Sequence, residues 1–181
     1  MNDLDGFPEL RTSRLTLTAL LNEHAQGMFD LFTDARVTEF YTVMPLTDKQ
    51  DMIRVIDMFA EQYRMKKMIR WAIIESDGQQ LIGTIGLHQV IPTHKASVVF
   101  ALSPPYQGRG YAAEALGAVV KYCFEQQGLA RIQAEVMPGN NASDHLLLRA
   151  GFMHEGLLRQ WMQWNGKSYD MNMYAMVQAA K

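Results

Sequence analysis

The chain has 181 residues, 48% of them hydrophobic and 20% charged, and a formal net charge of −2. That length fits one domain with a sizeable core. The charge balance argues against a basic nucleic-acid groove, and no apolar run reaches the length of a membrane span. The single cysteine, Cys123, cannot form an internal disulfide, which points to a reducing cytoplasm. Cys123 falls at helical spacing from Val119 and Leu116, so it reads as a buried core thiol and not as a nucleophile. The start, Met1-Asn2-Asp3-Leu4-Asp5, is acidic and lacks the basic and apolar regions of a signal peptide, so a cytoplasmic location is expected.

Taken in order, residues 1–9 read as a loose arm and Arg14-Leu15-Thr16-Leu17-Thr18-Ala19-Leu20 alternates as a first strand. Asn22 is placed to cap a helix over 23–33, with Met28, Leu31 and Phe32 on its apolar side. An irregular apolar loop, Phe40-Tyr41-Thr42-Val43-Met44-Pro45, follows. Thr47 is placed to cap a second helix over 48–66, where Met52, Ile56, Phe59 and Tyr63 recur on one face. Strands are expected over 70–75, 80–90 and 96–102. The first two are joined at Asp77-Gly78, and short turns make all three antiparallel.

A helix over 110–126 then carries a stripe of Ala112, Leu116, Val119 and Cys123, and Gly128 ends it. The strand over 129–136 completes a strand-helix-strand unit, which calls for a parallel pair inside an otherwise antiparallel sheet. Asn140 or Asn141 caps a short helix through Arg149, closed by Gly151. Two long strands surround Asn165-Gly166, the strongest type I′ turn signal in the chain. The outcome is one α/β domain with a central mixed sheet.

The stretch with chemical content is Ser103-Pro104-Pro105-Tyr106-Gln107-Gly108-Arg109-Gly110-Tyr111-Ala112-Ala113-Glu114. Its prolines stop a strand, because neither can donate a ladder hydrogen bond. Gly108 and Gly110 permit a tight turn, and a helix opens directly behind them. Free N–H groups and a positive helix end converge there, which suits an anion and above all a phosphate. No Gly-Lys-Ser/Thr follows, so the loop is not a Walker A loop. The third glycine of a dinucleotide fingerprint is missing as well.

The pattern Gln107-x-x-Gly110-x-Ala112 after a strand resembles the pyrophosphate loop of the GNAT superfamily of N-acetyltransferases, which bind acetyl-coenzyme A. Three further segments carry the resemblance towards the branch that acetylates ribosomal-protein N-termini at alanine or serine. They are Leu10-Arg11-Thr12-Ser13-Arg14-Leu15, then Asn140-Asn141-Ala142-Ser143 with Leu148-Arg149-Ala150-Gly151-Phe152, then Glu155-Gly156-Leu157-Leu158-Arg159 with Tyr169-Asp170-Met171. It implies a single domain over 1–181 with its core at about 10–177. The fold implied is a mixed, mostly antiparallel sheet of about seven strands, with a parallel pair splayed in a V and about four flanking helices. The pantetheine arm would lie in the V against Phe100, Ala101 and Leu102, like an added strand. The pyrophosphate would sit on Gln107, Gly108, Arg109, Gly110, Tyr111 and Ala112.

The reaction implied is acetyl transfer from a thioester to a primary amine by direct attack, with no metal. The acceptor expected is a protein N-terminal amine such as that of a ribosomal protein. Small amines or antibiotics are an alternative, as is a non-catalytic sensor of acyl-coenzyme A. Ser143 is the candidate partner of the leaving thiolate, with helix capping as its other reading, and Asn140 is assigned to the pantetheine arm or to an N-cap. Leu147 stands where many members of the superfamily have a tyrosine. Glu155 is the candidate base near the family motif, with a structural carboxylate as its other reading. His88, His94, Asp170 and a water chain are further candidates, and Met162 stands where a carboxylate would be sought. Tyr41, Trp71, Trp161 and Trp164 are candidates to line the acceptor site, built by the 40–45 loop, the second helix and the final hairpin. No nucleic-acid or membrane partner is expected, and a monomer or homodimer is.

Overall fold

The computed structural model describes residue 4 and residues 6–42 and 46–178. The acidic start at 1–3 and 5, and residues 43–45 of the apolar loop, lie outside them. Eight strands form: β1 (Leu10–Arg11), β2 (Leu15–Ala19), β3 (Ile69–Glu75), β4 (Leu81–Ile91), β5 (Lys95–Leu102), β6 (Arg131–Val136), β7 (Met153–Trp164) and β8 (Lys167–Val177). They make one sheet in the order β1-β2-β3-β4-β5-β6-β8-β7. Among the described residues five helices flank it: α1 (Ala25–Thr33), α2 (Ala35–Thr38), α3 (Lys49–Arg64), α4 (Tyr111–Lys121) and α5 (Asn141–Arg149).

Every pairing is antiparallel except β5 with β6. That parallel ladder holds only at Lys95↔Arg131, Ala96↔Ile132 and Ser97↔Gln133. Beyond Ser97 the strands part, although both continue, to Leu102 and Val136. The V is therefore a property of this backbone.

Side chains alternate across the sheet, so each face packs separately. On one face Trp71, Ile85, Val98 and Ile132 pack with Leu116 and Val119 of α4. On the other, Ala72, Ile74 and Ala101 pack with Met28 and Phe32 of α1 and Met52 and Ile56 of α3. Cys123 lies in the first cluster, fully buried, and burial pushes its thiol up to about 12.

Several expected helix ends are corrected. Asn22 opens a 3₁₀ turn, and the Leu21 N–H there donates to Nδ1 of His24, not to an Asn22 side chain. Asp48, not Thr47, caps α3: its carboxylate accepts from the Asp51 N–H at 3.0 Å. Thr47 instead donates its hydroxyl to Asp51 Oδ2 at 2.7 Å. A carboxylate is the stronger acceptor for the free N–H groups of a first turn. Ala60 replaces Phe59 and Tyr63 in the fully buried stripe of α3. The regular part of α4 stops at Lys121 and continues to Gln126 as a wide π-type turn. Among the described residues no helix is long and apolar enough to cross a membrane.

Candidate active site

The parting of β5 and β6 leaves backbone groups without ladder partners, and their directions can be assigned. The Ser103 N–H donates to the Ile82 carbonyl on β4 at 2.8 Å. That N–H and the Leu102 carbonyl belong to one trans peptide group and point in opposite directions, so the Leu102 carbonyl faces the gap. Gln107 Nε2 donates to it there at 2.9 Å. By the two-residue alternation of a strand the backbone groups of Phe100 face the gap, and those of Ala101 face β4, where Ala101 pairs with Thr84. The Phe100 groups and the Leu102 N–H thus face the gap where an extended ligand would lie, the Leu102 carbonyl already accepts from Gln107, and Ala101 is spent on the sheet.

At the wide end of the gap Pro104–Tyr106 makes a short turn and the loop runs into α4. Gly110 is the residue before the helix, with φ +83°, a left-handed conformation suited to glycine. A Cβ there would also lie 3.3 Å from Nη2 of Arg14. The N–H groups from Gly108 to Ala113 donate to no protein acceptor among the described residues. They face the end of an 11-residue helix, a donor set that fits a diphosphate. Arg109 lies over the rings of Tyr106 and Tyr111, at 5.7 and 5.3 Å from the centroids. Tyr111 is buried and donates its hydroxyl to Glu75, so only its backbone is available to a ligand.

At the narrow end a cleft of about 710 Å³ opens. Phe40 and Tyr41, then Met52, Val55 and Phe59 of α3, then Met162, Trp164 and Met171 of the last hairpin, wall it. Phe100, Asn140 and Ser143 border it on the side of the gap. Asn140 accepts the Ser143 N–H at 3.2 Å through Oδ1 and so caps α5, and its Nδ2 group has no partner among the described residues. The Ser143 hydroxyl has no hydrogen-bond partner among the described residues.

The floor of the cleft is polar, which the sequence did not reveal. Arg70 pairs with Gly86, His88 with Ser97 and Ser97 with Gln133. Residues directly opposite share a face, as do residues two apart. One stripe therefore crosses four strands: Arg70, His88, Ser97, Gln133 and Glu135. Ser97 donates to Glu135 Oε1 at 3.2 Å, and Gln133 Nε2 donates to Ser97 Oγ at 3.1 Å. His88 Nε2 stands 4.0 Å from Glu135 Oε2. Burial pushes His88 below its ordinary value; Glu135 opposes that shift and Arg70 adds to it. The shift favours the neutral imidazole, the form able to take a proton.

Other candidates stand elsewhere. Glu155 lies on β7 in a two-point ion pair with Arg131, 2.9 and 2.6 Å, outside the lining of the cleft. The Arg131 guanidinium holds its carboxyl below the usual range. Trp71 is fully buried under α4 and donates its Nε1–H to the Pro8 carbonyl at 2.7 Å. Trp161 is 53% exposed on the edge strand. Neither borders the cleft, which corrects both as acceptor contacts. Asp170 accepts the Gln160 N–H at 2.8 Å and braces the irregular stretch of β7 between Leu158 and Met162. Leu147 is buried in the core. Among the described residues no cluster of His, Cys, Asp or Glu could hold a metal ion.

This geometry can be set beside known proteins. The family model described as "Acetyltransferase (GNAT) domain" matches residues 14–153. The "Uncharacterized N-acetyltransferase YoaA" of Bacillus subtilis (strain 168) is 40% identical over 172 residues, covering 94% of this chain and 97% of that one. The "[Ribosomal protein uS5]-alanine N-acetyltransferase" of Escherichia coli (strain K12) is 27% identical over 117 residues, covering 64% and 60%. Among solved structures, RimL, a ribosomal L7/L12 alpha-N-protein acetyltransferase in complex with coenzyme A, superposes with a TM-score of 0.83 at 19% identity, over 94% of this chain and 98% of that one. The splayed sheet, the glycine loop at a helix N-terminus and these matches agree, and the chain belongs to the GNAT family of acetyl-coenzyme A-dependent N-acetyltransferases.

Proposed function

We propose that the protein transfers the acetyl group of acetyl-coenzyme A directly to a primary amine held in the cleft, and that the amine is a protein N-terminus such as that of a ribosomal protein. The observation that carries the reading is the placing of the His88 imidazole 4.0 Å from the Glu135 carboxylate on the cleft floor, bordered by Ser143 and Phe100. The ribosomal acceptor is supported by the more distant relatives and by a cleft roomy enough for an extended peptide end.

Each group has a part. The incoming amine binds as its neutral form and attacks the thioester carbon. The new N–C bond forms, the C–S bond breaks, and the nitrogen sheds a proton to His88. Glu135 then faces an imidazolium, a favourable pairing. The Phe100 N–H, aimed into the gap, meets the oxygen on which negative charge develops. The Ser143 hydroxyl donates to the departing sulfur. Phe100 and Leu102 backbone groups and the Gly108–Ala113 donors hold and orient the coenzyme A portion.

The test is the release of free thiol from acetyl-coenzyme A by purified protein on addition of amines, with N-terminal peptides of ribosomal proteins in the panel. Acetylation of peptide N-termini, strongly reduced in Ser143→Ala and His88→Ala, supports the reading. Binding of acetyl-coenzyme A with no transfer to any amine would replace it with a sensor.

A further inference from the structure

Arg70 has no part in the scheme above, yet it occupies a place that calls for one. It is 8% exposed, and its Nε and Nη1 are buried with no hydrogen-bond partner among the described residues. Guanidinium stays charged at every physiological pH. A buried guanidinium whose N–H groups lack hydrogen-bond partners is costly even beside an aromatic ring, and polar groups left in this state in folded proteins call for an explanation, a ligand being one. The nearby carboxylate of the stripe, Glu135, is already engaged with Ser97, Gln133 and His88. At the rim, Arg54 and Asp51 pair with each other.

The surroundings hold the side chain in place. Gly86 lies directly opposite Arg70 on β4, and a Cβ there would come within 3.0 Å of Arg70 Cδ and 3.1 Å of Nε. The Phe59 ring of α3 lies on the other side, 5.1 Å from the guanidinium carbon. Clamped between a glycine and an aromatic face, the group borders the cleft. Arg70, Gly86 and Val99 stand at one level on three neighbouring strands. Two strand spacings, about 10 Å, therefore separate β3 from the β5 edge where the amine must arrive.

We infer that Arg70 is the anchor for an anionic group on the acceptor, and that the amine acetylated by this protein carries a carboxylate a few bonds away. A carboxylate is the anion that pairs most strongly with a guanidinium held in a fixed orientation. Two sources supply that chemistry: a free amino acid, or a peptide N-terminus with an acidic side chain beside it. The inference rests on the amine-acetylating reading for its biology, but not for its test.

The test uses matched probes on the coenzyme A-saturated protein, by calorimetry. Free amino acids are compared with their C-terminal amides, and peptides with Asp or Glu at the second residue with their Asn or Gln counterparts. At least one acid should bind tenfold or more tightly than its neutral partner, and the arm in which this happens names the source. Arg70→Gln should erase the difference and Arg70→Lys, which keeps the charge without the fork, should retain only part of it. Thermal unfolding and coenzyme A titration establish that each variant is folded; should Arg70→Gln fail to fold, Arg70→Lys carries the comparison. No acid preference in any pair, no binding of any acid, or a preference that survives the loss of Arg70 would each overturn the inference. Thiol release is scored separately. Transfer to neutral amines with no acid preference would sink Arg70 as an anchor and leave the proposed function standing. Acids bound through Arg70 but never acetylated would do the reverse.

Discussion

Glu114, in the first turn of α4, is held by Arg14, 100 residues earlier in the sequence: Arg14 Nε donates to Oε2 at 2.7 Å and the Arg14 N–H to Oε1 at 2.9 Å. Thr12 and Ser13 donate their hydroxyls to the same Oε1, at 2.5 and 3.1 Å. Arg14 also reaches the Arg109 carbonyl at 3.0 Å, inside the glycine loop. Burial works against the charged carboxylate, but the hydrogen bonds from Thr12, Arg14 and Ser13 prevail and bring it to about 2. The folded value lies below the ordinary one of 4.5, so the stabilisation is complete above that ordinary value and fades as pH falls towards 2. Glu114→Gln should weaken acetyl-coenzyme A binding by loosening the loop, lower the Tm, and flatten the fall of stability between those two pH values. Thermal unfolding at stepped pH checks this. An unchanged profile would mean that the clasp contributes nothing.

Gly110→Asp should abolish acetyl-coenzyme A binding while the protein stays folded. The change forces a side chain into a left-handed conformation beside Arg14 and puts a negative charge where a diphosphate must sit. Titration with coenzyme A measures it, and retained affinity would move the pyrophosphate away from this loop.

Ser143→Ala should lower kcat by roughly 10²-fold, the lower range for loss of a positioned proton donor, with the affinity for acetyl-coenzyme A unchanged. The cap of α5 comes from the Asn140 side chain, not from this hydroxyl, so the Tm should not move. A normal kcat would leave the hydroxyl without a part in the chemistry.

The acid limb of kcat/KM should report His88. Its value is pushed below 6.5 by burial, so activity should rise with pH through a midpoint under that figure. Glu135→Gln removes the charge that opposes the shift and should move the midpoint lower; Arg70→Gln removes one that adds to it and should move it higher. A limb that ignores both substitutions assigns the proton to another group. Glu155→Gln, by contrast, breaks only the pair with Arg131 and should leave kcat within about twofold, as expected of a group outside the cleft.

The parts of the site that depend on local chain chemistry could be read in the sequence. Two prolines and two glycines announced the loop between β5 and α4, the pair Asn140-Asn141 announced the start of α5, and Asn165-Gly166 closed the last hairpin with φ of 48° and 72°. The polar floor could not be read this way. Glu135, His88 and Arg70 sit on three different strands, and only the ladder registers Arg70↔Gly86, His88↔Ser97 and Ser97↔Gln133 put them on one face. The same parity misleads about Trp71. It is the immediate neighbour of Arg70, so it points to the opposite face, into the core beneath α4. Buried Arg70 and Gln133 inside apolar strands were the available hint, because such residues rarely enter a sheet without a partner. Glu155 could be read from its motif as a base or as a structural carboxylate, and its partner in the fold, Arg131, stands 24 residues earlier.

The most direct test of the central claim is intact-mass analysis of peptide and amino-acid amines incubated with the purified protein and acetyl-coenzyme A, run beside the Glu135→Gln and His88→Ala variants. The account predicts a gain of one acetyl group on an amine with wild-type protein and a loss of that transfer by about 10²-fold or more in His88→Ala, the range for a removed general base. Full transfer by both variants would contradict the assignment of the cleft floor, and no transfer to any amine by the wild-type protein would contradict the proposed function itself.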